Sequence, residues 1–389
     1  MSEKKHAHLV ALTHSTGSHL RGWRHPNTPA RPATDVKAFV EVAQELERGF
    51  FDALFLSETT GVMPGPPEMH QYDSMVNESL DPTLLLSAIA AATEHLGLIT
   101  TASTSLTQPY TLARLLGSLD HLSDGRAGWN VVTSRFETEA RNFGIDPRQL
   151  RSPVRYEVAS EFVDIVKRLW DSGDDVLAPR GASAQAREAT QAQLVDHRGT
   201  HFRVTGALGL ARPPQGHPVI LQAGMSEDGR ELTAREADLA LGPGGGLQAR
   251  EARQDLRRRA AAFGRDPDSI LVLAVLPPVL VAETRVEAEA QLREFAELLG
   301  PVERQNPGVI AGPAIGLADI MESWLDEGAA DGFVVPFPYL QGPVAAFTRL
   351  VIPELQKRGR FRTAYAGRTL RENLGLPRPA PRNRPTTTP

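Results

Sequence analysis

The feature that most constrains this chain is a set of eight short apolar runs: Leu9–Leu12, Ala53–Leu56, Gly97–Ala102, Ala127–Val132, Val219–Gln222, Leu239–Leu241, Ile270–Val281 and Gly332–Phe337. They are continuous rather than alternating, which suits strands buried on both faces of a parallel sheet. Most are separated by segments of helical periodicity. Asp35 to Gly49 carries Val36, Phe39, Val40, Ala43 and Leu46 on one stripe and stops at a glycine. Asp81-Pro82 and Ser152-Pro153 each open a helix, and Thr284 precedes another. Strand-helix alternation in that number predicts an α/β fold, a (β/α)8 TIM barrel, in preference to an open doubly wound sheet. One closed barrel with its outer helices can absorb most of 389 residues, so residues 1–376 are expected to form a single domain.

Three segments fall outside the pattern. Gly173–Thr200 is polar and alanine-rich, an expected surface insertion. Gly300–Gly316 is a Pro/Gly-rich connection, and Pro377–Pro389 is expected to be a disordered tail, too proline-rich to pack. Charge and composition remove several functions. A net charge of −5 leaves no electrostatic footprint for nucleic acid or an anionic membrane. Without cysteine there is no disulfide, thiolate metal site or cysteine nucleophile. No run approaches the roughly 20 apolar residues that span a bilayer. The Leu9–Leu12 run is too short for a signal segment, so a cytoplasmic protein is expected.

In a parallel barrel the chemistry sits at the C-terminal ends of the strands. Those ends read Thr13-His14, Ser57-Glu58, Ser103-Thr104, Asn130 to Ser134, Gly224-Met225-Ser226, Gly242 to Gly246 and Phe337 to Tyr339. The set is rich in hydroxyls, amides and backbone donors. It lacks the paired carboxylates of a glycosidase, the spacing of a metal site, a GxSxG elbow and any strand-end lysine. A mouth of this kind implies that a cofactor carries the chemistry. Gln222-Ala-Gly-Met-Ser226 runs from strand into helix, where free N–H groups can hold a phosphate; Ser226 as a plain helix cap is the alternative. Gly242-Pro-Gly-Gly-Gly-Leu247 lacks the last glycine of a dinucleotide fingerprint and reads as a flexible loop. His14, at the mouth, is placed on the substrate side as a proton carrier.

The run Asp124-Gly-Arg-Ala-Gly-Trp-Asn-Val-Val-Thr-Ser134, followed by Ala140-Arg-Asn-Phe-Gly144, resembles the signature of bacterial-luciferase-like flavin monooxygenases. The subgroup it is most similar to contains the nitrilotriacetate, dibenzothiophene-sulfone and long-chain alkane monooxygenases. Arg155-Tyr156-Glu157, Arg212-Pro-Pro-Gln-Gly-His-Pro-Val219, Gln222-Ala-Gly224 and Thr369-Leu-Arg-Glu-Asn-Leu-Gly375 agree in order, so the likeness covers nearly the whole chain.

The resemblance implies a two-component oxygenase. Reduced FMN would come from a separate NAD(P)H-dependent flavin reductase by diffusion, and O2 would oxygenate a small organic substrate through a flavin peroxide. It implies a homo-oligomer as well. Carried over by position, Tyr156 and Ser226, with backbone at Gly224 and Met225, would hold the FMN phosphate. Glu58, Thr104 and Asn130 would face the ring. Ser152 stands where the family has a histidine, and its hydroxyl is the contact expected there. The connection before Leu317 is shorter than in the family. The alternatives are a deazaflavin-dependent oxidoreductase on the same barrel and a non-catalytic flavin-binding protein.

Overall fold

The computed structural model describes residues 6–14, 16–19, 21–29, 31, 33–61, 79–151, 153–175, 193–299 and 308–382. Its strands are β1 (His8–Thr13), β2 (Ala53–Leu56), β3 (Gly97–Ser103), β4 (Ala127–Val132), β5 (Val195–Arg198), β6 (Arg203–Gly206), β7 (Val219–Gln222), β8 (Leu239–Gly242), β9 (Leu271–Val275), β10 (Val279–Ala282), β11 (Ile310–Pro313) and β12 (Gly332–Pro336). A closed barrel runs in the order β1-β12-β9-β8-β7-β4-β3-β2, and every pairing within it is parallel. All eight apolar runs therefore supply a barrel strand.

The helices are α1 (Val36–Arg48), α2 (Pro82–Ala90), α3 (Pro109–Leu122), α4 (Glu137–Asn142), α5 (Val154–Trp170), α6 (Glu227–Glu236), α7 (Leu247–Ala262), α8 (Arg285–Glu297), α9 (Ala314–Asp326), α10 (Pro343–Lys357) and α11 (Leu370–Asn373). Their starts follow local chemistry. Asp35 accepts from Ala38 N, Asp81 from Thr83 N and Leu84 N, and Thr284 forms a capping box with Glu287. The barrel interior is filled by Val10, Phe55, Ile99, Val219, Leu221, Leu239, Leu273 and Val334. Leu370 of α11 and Leu374, just after it, join this cluster, fully or almost fully buried, and close the N-terminal end like a plug. Burying a leucine of this kind contributes about 1.5–3 kcal/mol.

Five expectations change. Ile270–Val281 is two strands, because Pro277 and Pro278 supply no N–H and break the ladder. β10 leaves the barrel and pairs in parallel with β11, which lies in the connection read as merely Pro/Gly-rich. At the end of the surface insertion β5 pairs antiparallel with β6, which lies just beyond it; residues 176–192 lie outside the described residues. The tail packs as far as residue 382. Arg378 donates to Pro214 O, Arg382 N to Asp171 Oδ2, and the Pro379 carbonyl accepts from Arg212. Proline content discouraged helix and strand there, but an extended strap needs neither. Finally, the glycine-rich loop after β8 is built for packing: a Cβ on Gly245 would collide with the Trp324 indole of α9.

Candidate active site

The C-terminal mouth brings three groups of polar residues together. The first centres on β4. Asn130 Nδ2 donates to Thr101 Oγ1 (3.1 Å), and Thr101 donates its own proton to Leu56 O (2.9 Å), a chain across β4, β3 and β2. Because the threonine proton is committed, its oxygen can only accept, which fixes the amide orientation. Asn130 Oδ1 then points away, buried and without a hydrogen-bond partner. An unpaired buried acceptor costs roughly 1–3 kcal/mol, so its persistence argues for a donor arriving from a bound group. Thr104 is buried, with its hydroxyl donating to Val132 O (3.2 Å); only its lone pairs remain to face a ligand.

The second group lies around the next barrel strand, β7. Ser226 caps α6, accepting from Gly229 N (3.2 Å), and also donates to the Tyr156 hydroxyl of α5 (3.2 Å). Ser226 is thus the helix cap that the sequence offered as one of two readings, and it meets Tyr156 as well. Gly224 N is already committed to Gln222 Oε1 (2.5 Å), so this glycine is not a free backbone donor. The N–H groups of Met225 and Ser226 meet no acceptor among the described residues. Glu227, which beside a phosphate would repel it, is held by Arg230 (2.6 Å) and Arg259 (2.7 Å). The Arg155 guanidinium lies over the Tyr156 ring at 5.0 Å, and its Nε is buried without a partner. Arg155 stood in the quoted motif but was not named as a site residue; a cation beside a proposed phosphate site was the available signal. Ser152 lies outside the described residues.

Around β1 and β2, His14 Nδ1 is 2.9 Å from Ser57 Oγ. The ring keeps an open face to solvent, yet enough protein surrounds it for desolvation to lower its pKa, which leaves it neutral at pH 7. Glu58 is half-buried, and burial first, then Asp81 and Glu139, push its carboxyl up to about 7. Sequence reasoning missed Glu139. It is buried on α4 and accepts from Ser134 Oγ (3.3 Å), Thr60 Oγ1 (3.4 Å) and Phe136 N (3.3 Å). Ser134 in turn meets Ser103 Oγ at 2.9 Å. No group of three or more potential metal ligands occurs among the described residues.

A closed parallel barrel with an unpaired amide oxygen at its mouth, and a tyrosine–serine pair at a neighbouring helix N-terminus, is an arrangement that can receive a cofactor. The comparisons make the class specific. The luciferase-like monooxygenase family matches residues 12–327, and the chain belongs to it. The chain is 36% identical to nitrilotriacetate monooxygenase component A of Aminobacter aminovorans, over 97% of its length and 98% of that protein. The crystal structure of a long-chain alkane monooxygenase superposes with a TM-score of 0.87 at 31% identity, covering 96% of each chain. A riboflavin lyase solved with modified FMN and riboflavin gives a TM-score of 0.85 at 27% identity, covering 95% of this chain and 96% of that one. The protein is a monooxygenase of this family.

Proposed function

We propose that the protein is the oxygenase component of a two-component system, binding reduced FMN at the barrel mouth and oxygenating a small organic substrate with O2. The observation that carries this reading is the Tyr156–Ser226 contact: residues 70 apart in sequence meet at 3.2 Å at a helix N-terminus. The donors and acceptors fit the cofactor. Tyr156, Ser226, the Met225 N–H and Arg155 would hold a phosphate, while Asn130 Oδ1, Thr104 and Glu58 would meet the polar edge of the ring. When bound, reduced FMN supplies two electrons to O2, so that one oxygen atom enters the substrate and the other leaves as water. The chain's own work is to bind, orient and exclude water. Neutral His14, joined to Ser57, is placed on the substrate side, where its ring can pass a proton.

The cofactor would arrive reduced from a separate NAD(P)H-dependent reductase, which puts both proteins in the cytoplasm. The name of the Aminobacter relative, component A, supports a partner protein. A homo-oligomer is supported by an apolar surface on α2 and α3. No charged residue occurs from Pro82 to Ala92, and Leu84 is 72% exposed, with Leu115 and Leu122 at 45% and 66%.

Anaerobic titration of the apoprotein with reduced FMN, with a reduced deazaflavin in parallel, tests the reading. Saturable FMN binding, followed on admission of O2 by incorporation of one labelled oxygen atom into a compound from a panel of thioethers, sulfones, alkanes and aminopolycarboxylates, is the expected result. Tight binding of the deazaflavin alone would replace FMN; FMN binding without oxygen transfer to any compound would leave a flavin-binding protein.

A further inference from the structure

A cavity of about 730 Å3 opens between α1, α8 and α10, outside the barrel wall. Two of its lining rings are more than nine-tenths buried: His25, in the segment that leaves β1, and Tyr339, in the segment that leaves β12. These strands are neighbours, and Ser18 N donates to Phe337 O (2.7 Å), which ties the two segments together. The rings stack face to face, with centroids 3.6 Å apart and planes 11° from parallel. Burial lowers the His25 pKa, only partly offset by Glu294, so the ring is neutral at pH 7. Its Nδ1 accepts from Asn27 N (3.2 Å), which puts the proton on Nε2. Burial, then Glu294, push the Tyr339 hydroxyl up to about 12, so it also keeps its proton. Neither the His25 Nε2 nor the Tyr339 hydroxyl has a hydrogen-bond partner among the described residues, and neither atom is sealed inside the protein. Two unused donors therefore open side by side on the cavity, where one carboxylate could accept from both.

The charges around the cavity complete the pattern. Glu45, on α1, is engaged, accepting from Thr348 and from Arg48. Glu294 of α8 and Arg349 of α10 are exposed, and among the described residues neither has an ion-pair partner, not even the other. One open carboxylate and one open guanidinium face a shared space without meeting. We propose that this cavity is a second ligand site, separate from the flavin mouth, that takes a small amino acid as its zwitterion. The ligand carboxylate would accept from His25 and Tyr339 with Arg349 as its counterion, and the ammonium would face Glu294. Glu294 also sets specificity, because it repels an anion that brings no ammonium. The volume falls within the range of about 300–1,000 Å3 usual for small-molecule sites, so the amino acid can carry a side chain. None of the residues assigned to the mouth lines the cavity, so the ligand is an effector rather than the oxygenated substrate. The proposal stands independently of the flavin reading.

Calorimetric titration of the protein with norvaline and γ-aminobutyrate tests it, with pentanoate and butylamine as the two halves of norvaline. Saturable binding of at least one zwitterion, with a dissociation constant below about 10 mM, is expected, and each half should bind about tenfold more weakly. Glu294→Gln should weaken the zwitterion about tenfold without weakening pentanoate, whereas Arg349→Gln should weaken both. Both side chains are exposed, so these variants keep the fold. Tyr339→Phe keeps the stack, removes one donor and should weaken zwitterion and pentanoate alike, by roughly two- to tenfold. The titration is repeated anaerobically with reduced FMN present, and zwitterion affinity should be unchanged. Binding of neither zwitterion, equal binding of the halves, affinity unmoved in Glu294→Gln and Arg349→Gln, or displacement by reduced FMN would each overturn the proposal. Failure of reduced FMN itself to bind would remove the flavin reading and leave this site standing.

Discussion

The two ends of the barrel answer their buried polar groups in opposite ways. At the closed end an aspartate stands immediately before a strand and accepts the N–H of a neighbouring strand: Asp52 from Leu9 N (2.7 Å), Asp238 from Ile220 N (2.9 Å) and Asp331 from Val272 N (3.0 Å). Each also has an arginine, in turn Arg362, Arg371 and Arg253. Arg126, ahead of β4, is buried without a carboxylate but donates to Ser123 O, Thr93 Oγ1, Leu96 O, Ala90 O and Thr93 O at 2.7–2.9 Å, so each of its nitrogens is used. Asp120 is the exception, answered only by Ala127 N, Gln215 N and Gln215 Nε2, and burial pushes it up to about 6. At the mouth, Glu58 has no counterion among the described residues and Asn130 Oδ1 has no donor. Burial of charge alone marks neither stability nor function; whether the charge is answered separates them.

The sharpest way to break this contrast is Arg126→Ala. Four buried carbonyls would lose a charged donor, and a cost of about 3–5 kcal/mol is expected in urea unfolding. Reduced-FMN affinity of the folded fraction should not change. A loss under about 1 kcal/mol would mean that the closed end is not where such bonds matter.

The next test uses pH. His217 is buried, hydrogen-bonded to Asp171 Oδ2 (2.9 Å), and desolvation lowers its pKa to about 4. A histidine with a depressed folded pKa contributes stability that is complete above its unfolded value, about 6.5. That contribution is lost as pH falls through about 4. The shift corresponds to about 3 kcal/mol. His217→Gln should therefore flatten the melting temperature between pH 6.5 and 4, once the general loss from replacing a packed ring is subtracted. An unchanged acid limb would remove His217 as its source.

Glu58 should behave with the opposite sign. Its raised pKa stabilises the fold at low pH, and the contribution is lost as pH rises through about 7. Because the group is only partly buried, screening reduces the effect to about 1 kcal/mol. Glu58→Gln should be more stable than the parent at pH 8 and indistinguishable from it at pH 4. Equal melting temperatures at both values would mean that the mouth carboxylates do not interact.

How much of this could be read in the sequence follows from the same contrast. Strands were legible because burial on both faces leaves a continuous apolar run, and caps because Asp35, Asp81 and Thr284 act within three residues. The run Gly125–Ser134 was legible as a family signature, but its physical content divides between the two ends. Arg126 secures the closed end, a Cβ on Gly128 would press on Ile99 inside the barrel at 2.8 Å, and Asn130 and Ser134 serve the mouth. Tyr156 and Ser226 were reached through resemblance, since nothing local joins residues 70 apart. Glu139 was missed because its role depends on tertiary neighbours, Thr60 and Ser103 through Ser134, that no spacing rule connects. The packing of residues 378–382 was not legible because its partners, Asp171 and Arg212, lie far upstream in sequence; residues 383–389 of the expected tail lie outside the described residues.

Tyr156→Phe gives the smallest effect and the finest distinction at the mouth. Ser226 serves both the helix and Tyr156, so replacing it would mix a lost cap, about 1 kcal/mol, with any loss of ligand contact. Phenylalanine at 156 keeps the ring under Arg155 and leaves the Ser226 cap to Gly229 N intact. Only the hydroxyl goes, at a solvent-exposed bond, so unfolding free energy should move by less than about 0.5 kcal/mol. If that hydroxyl binds the phosphate of reduced FMN, affinity falls by about 0.5–1.5 kcal/mol, roughly two- to tenfold. The free enzyme and the complex then respond differently to one missing atom, as expected where a polar group is present for a ligand rather than for the fold. Unchanged affinity would reassign the Tyr156–Ser226 contact to the class of bonds at the closed end, made and used within the protein, and would leave Met225 N–H and Arg155 to hold the phosphate.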